Sequence, residues 1–233
     1  MYKLNLDEID VDGAIREQAD AVSGDTRLDF FRKGAIGAGA AVGGGALLSG
    51  LVAGPAAAAG PNTRPPKKFG KGDVGILNFA LTLEFLEAAF YTEALNSGAI
   101  KDPQVLAFLK TVEKDERKHV SFLRGALGAK AVPKPKFDFM GTNKDEAKFR
   151  ATSELLENTG VSAYLGQAKN ISSKTILGRA GSILTIEARH ASVIGFLNAN
   201  TPKGIAPSGP FDKPKSANAI LAAVTKTKFI VKS

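Results

Sequence analysis

The chain of 233 residues has no cysteine and no tryptophan, and only two histidines. Without thiols it can form no disulfide, zinc-thiolate site, iron-sulfur cluster or lipid-modified cysteine, so a bound metal would rest on oxygen and nitrogen ligands. Aromatic residues do not interleave with the basic ones. The lysines gather mainly at 130–136 and 203–232 with no recognition-helix pattern, so a solvated basic surface is expected and a specific nucleic-acid partner is not. Hydrophobic residues make up 44% and charged residues 23%, which suits one globular core with extensions.

Glycine and charge are unevenly spread. Nine of the 25 glycines fall between positions 34 and 60, a stretch with almost no helix-forming pattern. The net charge of +8 divides into eight acids and five bases over residues 1–34, no charge over 35–60, and 26 bases against 15 acids in the remainder. The folded part is therefore about +11, a balance that also allows association with an anionic envelope surface.

Against these absences, the two histidines stand out. Each follows a glutamate by three residues, in Glu116-Arg117-Lys118-His119 and Glu187-Ala188-Arg189-His190. Three residues is just under one helical turn, so each pair projects from one helix face. An imidazole and a carboxylate so placed can ligate a first-row transition metal, and two facing pairs make half of a dinuclear carboxylate site. The other half needs one glutamate from each of two further helices. Leu83-Glu84 stands seven residues before Tyr91, and Leu156-Glu157 stands seven before Tyr164. Glu84 to His119 is 35 residues and Glu157 to His190 is 33, so the chain reads as two similar helix pairs around a pseudo-twofold axis.

The pattern divides the chain into five parts. Residues 1–25 form an acidic, polar extension expected to be disordered. Residues 26–60 have export-signal anatomy: Thr26, Arg27, Asp29, Phe30, Phe31 and Arg32 fit a twin-arginine motif, an uncharged Gly/Ala run follows, and an Ala-x-Ala site lies at 57–59. Leu28 stands where the second arginine of that motif belongs. An uncleaved membrane anchor is the alternative. Residues 61–72 are a linker, 73–200 a four-helix bundle, and 201–233 a C-terminal extension with a short helix near 216–224 and an apolar end at Phe229, Ile230 and Val231.

Within the bundle, helices are expected from Asp73 to the stop at Asn96, Ser97 and Gly98, from the Asp102-Pro103 cap to Gly128, over about 144–170, and from Ser172 or Ser173 to Asn200. Phe122 in the second and Leu155 in the third are assigned to inner faces by apolar spacing, and the apolar pattern of the fourth continues through Leu177 and Val193. The 129–143 connection has no helical period. About 15 extended residues reach roughly 50 Å, enough for a crossover along a bundle, whereas the first connection is short enough to force an antiparallel hairpin.

Four helices joined short-long-short, with Glu in the first and third and Glu-x-x-His in the second and fourth, resemble the ferritin-like superfamily. The phrases Asn78-Phe79-Ala80-Leu81-Thr82-Leu83-Glu84-Phe85-Leu86-Glu87 and Leu156-Glu157-Asn158-Thr159-Gly160-Val161-Ser162-Ala163-Tyr164 resemble its bacterial ferritin-like domain group, which includes desiccation-related proteins. The resemblance implies an all-α ferritin-like bundle and a metal pair. By position its ligands would be Glu84, Glu116, His119, Glu157, Glu187 and His190, with Glu116 and either Glu157 or Glu187 bridging. Glu87 is an alternate ligand for the first helix and Glu154 a competing choice to Glu157; Tyr91 and Tyr164 are core aromatics or partners of the ligands.

The expected protein is an exported dinuclear one, with two iron ions or, alternatively, two manganese ions, acting on oxygen or peroxide as a ferroxidase, an oxidase or a catalase-like enzyme. The non-enzymatic alternative is a stress- or desiccation-associated envelope protein with structural metal or none. A homodimer is compatible with both, and a cage-type iron store fits less well.

Overall fold

The computed structural model describes residues 63–231; the acidic extension and the signal-like segment lie outside the described residues. Five α-helices carry the fold, α1 (Gly72–Ser97), α2 (Pro103–Leu127), α3 (Glu146–Ala168), α4 (Lys174–Ala199) and α5 (Ala217–Thr227), with no strand longer than an isolated bridge among the described residues.

Helix α1 is apolar on every side, and a helix of that kind must be buried. Its residues are buried without interruption from Gly75 to Tyr91. By length and composition it could cross a membrane, yet nearly all of its apolar stretch is covered by the rest of the bundle. Gly98 ends it in the left-handed conformation at φ 62°, which glycine adopts without a Cβ penalty. Helix α2 is amphipathic instead. Asp102 accepts hydrogen bonds from the Gln104 and Val105 amides, Pro103 opens the first turn, and Val105, Leu109, Val112, Glu116, His119, Leu123 and Leu127 recur on the buried face.

Asp145 caps α3 through the Lys148 amide, and Ser173 caps α4 through the Ile176 amide. The Asp73 carboxylate in the first turn of α1 accepts from the Ser172 and Ser173 amides at 2.9 Å each, which ties the starts of α1 and α4 together. α1 packs along α2, and α3 along α4, each pair joined by a short turn that makes it antiparallel. Tyr91 meets Glu157 while Tyr164 meets Glu84, so α1 and α3 also run in opposite directions. Residues 128–145 must then travel the length of the bundle.

That crossover is held at several points. The Asn78 side chain donates to the Phe69 and Lys130 carbonyls and accepts from the Val132 amide, each at 2.9 Å. Phe139 is buried against Phe90 and Phe229, with ring centroids 5.3 Å apart in both pairs, and Phe137 forms an antiparallel bridge with Ile230. The C-terminal segment therefore closes the core. Helix α5 packs on α3, where Gly166 lets the Lys215 backbone cross so closely that a Cβ there would collide with it. The residues read as a linker also make specific contacts: the Thr63 carbonyl accepts from Gln167 at 2.7 Å, and Phe69 is in the core.

Four residues of these apolar patterns, two of them assigned inward, lie outside. Phe122, Leu155, Leu177 and Val193 are exposed. On α3 the buried line passes through Phe149, Ser153, Leu156 and Gly160, so Leu155, about 100° away from Leu156, must face out. Phe122 is covered partly by the Arg179 guanidinium, 6.0 Å from its ring centre, a contact that hydrophobic spacing does not reveal.

Candidate metal centre

All six residues singled out by spacing converge in the middle of the bundle. Glu84, Glu116, Glu157 and Glu187 have no exposed surface, and His119 and His190 are buried beside them. Their donor atoms form two groups, Glu84, Glu116, His119 and Glu187 in one and Glu116, Glu157 and His190 in the other, with the atoms of each group within 4.8 Å of one another. Glu116 belongs to both.

The geometry within the groups is regular. His119 Nδ1 lies 3.2 Å from Glu84 Oε2, 3.2 Å from Glu116 Oε2 and 3.3 Å from Glu187 Oε1. His190 Nδ1 lies 3.2 Å from Glu116 Oε1 and 3.3 Å from Glu157 Oε2. The two oxygens of Glu116 thus face different histidines. Bonds of about 2.0–2.2 Å to one ion place neighbouring donors about 2.9–3.4 Å apart along the edges of the coordination polyhedron. The measured separations fall in that interval.

Hydrogen bonding within the protein does not account for the arrangement. Glu116 Oε1, Glu157 Oε2, both Glu187 oxygens and His190 Nδ1 are buried without a well-aligned hydrogen bond, although all but Glu187 Oε2 face a histidine or carboxylate atom at 3.2–3.3 Å. Buried polar atoms are rarely left so, because each unmet group costs about 1–3 kcal/mol, and more when charged. The basic residues nearest in sequence, Arg117, Lys118 and Arg189, are on the surface and do not neutralise the carboxylates. Oxygen and imidazole donors pointing at a common centre fit a first-row divalent cation.

The outer atoms of the same side chains are fixed by the protein. Tyr91 donates its hydroxyl to Glu157 Oε1, and Tyr164 donates to Glu84 Oε1. Each tyrosine therefore serves the glutamate of the other helix pair and leaves that glutamate's second oxygen facing inward. Asp115, on α2, brings Oδ2 to 3.5 Å from His190 Nε2 and so flanks the ring nitrogen opposite the one that faces the centre. Such a carboxylate behind a histidine orients the ring and raises its basicity. Spacing gave no sign of Asp115, because the register of α2 against α4 is set by packing.

Glu87, one turn beyond Glu84, is also buried, but it belongs to neither donor group. Its carboxylate approaches Gly160 of α3. A Cβ on Gly160 would lie 2.5 Å from Glu187 Oε2 and 3.5 Å from Glu87 Oε1, so the missing side chain is what leaves room for both carboxylates. Glu113, one turn before Glu116, accepts from Thr92 and Arg117 and belongs to neither donor group.

Crowding of acids in a dry site shifts their ionisation. Burial, then the charges of its carboxylate neighbours, pushes the Glu187 and Glu87 carboxyls well above the usual range. Burial and the charge of Glu84 raise Glu116 to about 8. Burial acts on Glu84 in the same direction, but the hydrogen bonds of His119, Glu116 and Tyr164 outweigh it and hold this carboxyl low. For the histidines burial favours the neutral ring, and the adjacent carboxylates override it, raising His190 to about 11 and His119 further still.

An all-helical bundle with two Glu-x-x-His pairs and two further glutamates around one centre defines a ferritin-like class of protein. The sequence comparison agrees: residues 72–199 match the family described as a ferritin-like domain, more than half of the chain, and the protein belongs to that family. No curated protein matches it.

Proposed function

We propose that the centre holds two ions of iron, with manganese as the alternative metal, and that the protein is an exported oxidoreductase acting on oxygen or peroxide. The observation that carries this reading is Glu116, whose two oxygens are each 3.2 Å from a different histidine, the arrangement of a carboxylate shared by two cations. A redox-active pair would supply electrons one at a time to oxygen or peroxide held beside it.

The chain's own contribution is positioning. Tyr91 and Tyr164 hold one oxygen of Glu157 and Glu84 and so aim the other inward, while Asp115 stands behind His190. Glu187 is held differently. Its outer oxygen accepts no hydrogen bond and faces the gap at Gly160, so no tyrosine ties this carboxylate as Tyr164 and Tyr91 tie Glu84 and Glu157. Apolar side chains of α1 and α3 keep bulk water from the centre, which strengthens each charge interaction within it.

Two divalent ions would offset the charge of the carboxylates gathered in this buried centre, which no neighbouring basic side chain of α2 or α4 does. Export rests on the sequence alone, on Arg27, Phe30, Phe31 and the Gly/Ala run that follows.

The test is to load the apoprotein anaerobically with ferrous iron and add oxygen or peroxide in stoichiometric amounts. Consumption of oxidant with formation of a ferric pair supports the reading. Stable binding of two ions that neither oxidant alters leaves a structural metal and overturns the enzymatic part.

A further inference from the structure

The two donor groups are unequal. Three carboxylates and a histidine surround the position beside His119, but only two carboxylates and a histidine surround the position beside His190. The helix pairs that supply them are otherwise closely matched, down to the exchanged tyrosines. Among the differences between the repeats, one removes a carboxylate next to a donor: α1 carries Glu84-x-x-Glu87, while α3 carries Glu157-x-x-Gly160.

Gly160 therefore stands where the second repeat would place a counterpart of Glu87. Glycine inside a helix costs about 1 kcal/mol relative to alanine, so its use there calls for a local reason. The reason is visible in the contacts. The space next to Gly160 holds Glu187 Oε2, which is wholly buried, has no hydrogen-bond partner and points into the gap, and it also holds Glu87 Oε1. Gly160 is one turn along α3 from Glu157, a donor of the poorer group. The Glu87 carboxylate thus lies by Gly160, within one helical turn of a donor of the poorer group and next to Glu187 of the fuller one.

We infer that Glu87 is a seventh protein ligand of the centre, supplying the fourth donor to the ion beside His190 through the space kept open by Gly160. The inference rests on the metal-binding reading above and adds a residue and an asymmetry to it. Ligation by Glu87 would call for rotation about its side-chain torsions into the space beside Gly160. The alternative is that Glu187 swings its free oxygen across and bridges the two ions, which would complete the second group without Glu87.

Two measurements on the full-length chain decide between these. The first is a calorimetric titration of apoprotein with manganese(II), comparing wild type with Glu87→Gln, a change of nearly equal volume. Two ions are expected to bind to wild type. In Glu87→Gln the better-coordinated ion should bind within about threefold of wild type, while the other weakens by about tenfold to a hundredfold. The second is a crystal structure of manganese-loaded wild type with anomalous scattering, in which a Glu87 oxygen should lie within about 2.5 Å of the ion nearer His190. Equal affinities in the two proteins overturn the inference, as does a loaded structure with Glu187 bridging and Glu87 away from both ions. Failure of wild type to take up any ion removes the metal reading itself, an outcome distinct from failure of Glu87 alone.

Discussion

Tyr91 on α1 donates a hydroxyl hydrogen bond to Glu157 on α3, across the centre of the bundle. Tyr164 on α3 returns the arrangement to Glu84 on α1. Seven residues separate each tyrosine from the glutamate of its own helix, about 10.5 Å along the axis. Because α1 and α3 are antiparallel, that step carries each tyrosine to the level of the other helix's glutamate. The equal spacing in the two repeats is thus the condition for a reciprocal pair of hydrogen bonds.

Removal of either hydroxyl should weaken metal binding without dissolving the fold. Tyr91→Phe and Tyr164→Phe each leave a buried carboxylate oxygen without its donor, at a cost of about 1–3 kcal/mol. A loss of tenfold to a hundredfold in metal affinity is expected for each, read by calorimetric titration, with helical circular dichroism retained. Unchanged affinity in both would show that the tyrosines only fill the core.

The helix ends and the Glu-x-x-His spacing were legible in the sequence because both depend on residues close together in the chain. Asp102, Ser173 and Ser216 mark helix starts by local hydrogen bonding, and Glu116 with His119 needs only one turn of helix to share a face. The exchange of tyrosines, the position of Asp115 behind His190 and the gap at Gly160 depend on how one helix is rotated and shifted against another. Apolar spacing also failed at Phe122 and Leu155, where broad hydrophobic stripes left the inner face ambiguous by one residue.

Stability of the apoprotein should fall as pH rises from about 5 to about 9. Glu116 is raised to about 8 in the fold, from an ordinary value of 4.5, so between those pH values the folded state holds a proton that the unfolded state has lost. His190, raised to about 11 from 6.5, acts in the same direction above pH 6.5. In both cases raising the pH favours the unfolded chain. Metal should reverse the trend, since it replaces those protons. Thermal unfolding with and without manganese at a series of pH values checks this, and a melting temperature of the apoprotein that rises over the interval would contradict it.

Gly160→Ala sets two effects against each other. Alanine gains about 1 kcal/mol of helix propensity, while its Cβ would lie 2.5 Å from Glu187 Oε2 and force that carboxylate to move. Since the displaced atom is the end of a flexible side chain, the apoprotein should keep its stability to within about 1 kcal/mol. Metal affinity should fall. A variant that binds both ions as wild type does would show that the gap is not needed.

Phe90 lies at the junction of the helices and the crossover. It is fully buried and stacks on Phe149 at 5.5 Å, with Tyr91 and Phe139 at its edges. Phe90→Ala should destabilise the fold by about 3–5 kcal/mol, which for a domain of this size lowers the melting temperature by about 6–20 °C. Chemical denaturation would measure it directly, and a cost below about 1 kcal/mol would mean that the crossover does not depend on this contact.

Export would be tested by Arg27→Lys in the native host, with the mature N-terminus near position 60 in wild type and loss of export in the variant. A full-length chain confined to the cytoplasm would contradict it.

The central claim is that Glu116 is shared by two metal ions. Anomalous scattering from a crystal of metal-loaded protein, recorded at the absorption edge of the added metal, tests it most directly. Two peaks are predicted, one next to His119 Nδ1 and one next to His190 Nδ1, each bonded to a different oxygen of Glu116. A single peak, or two peaks of which only one touches Glu116, would contradict the account.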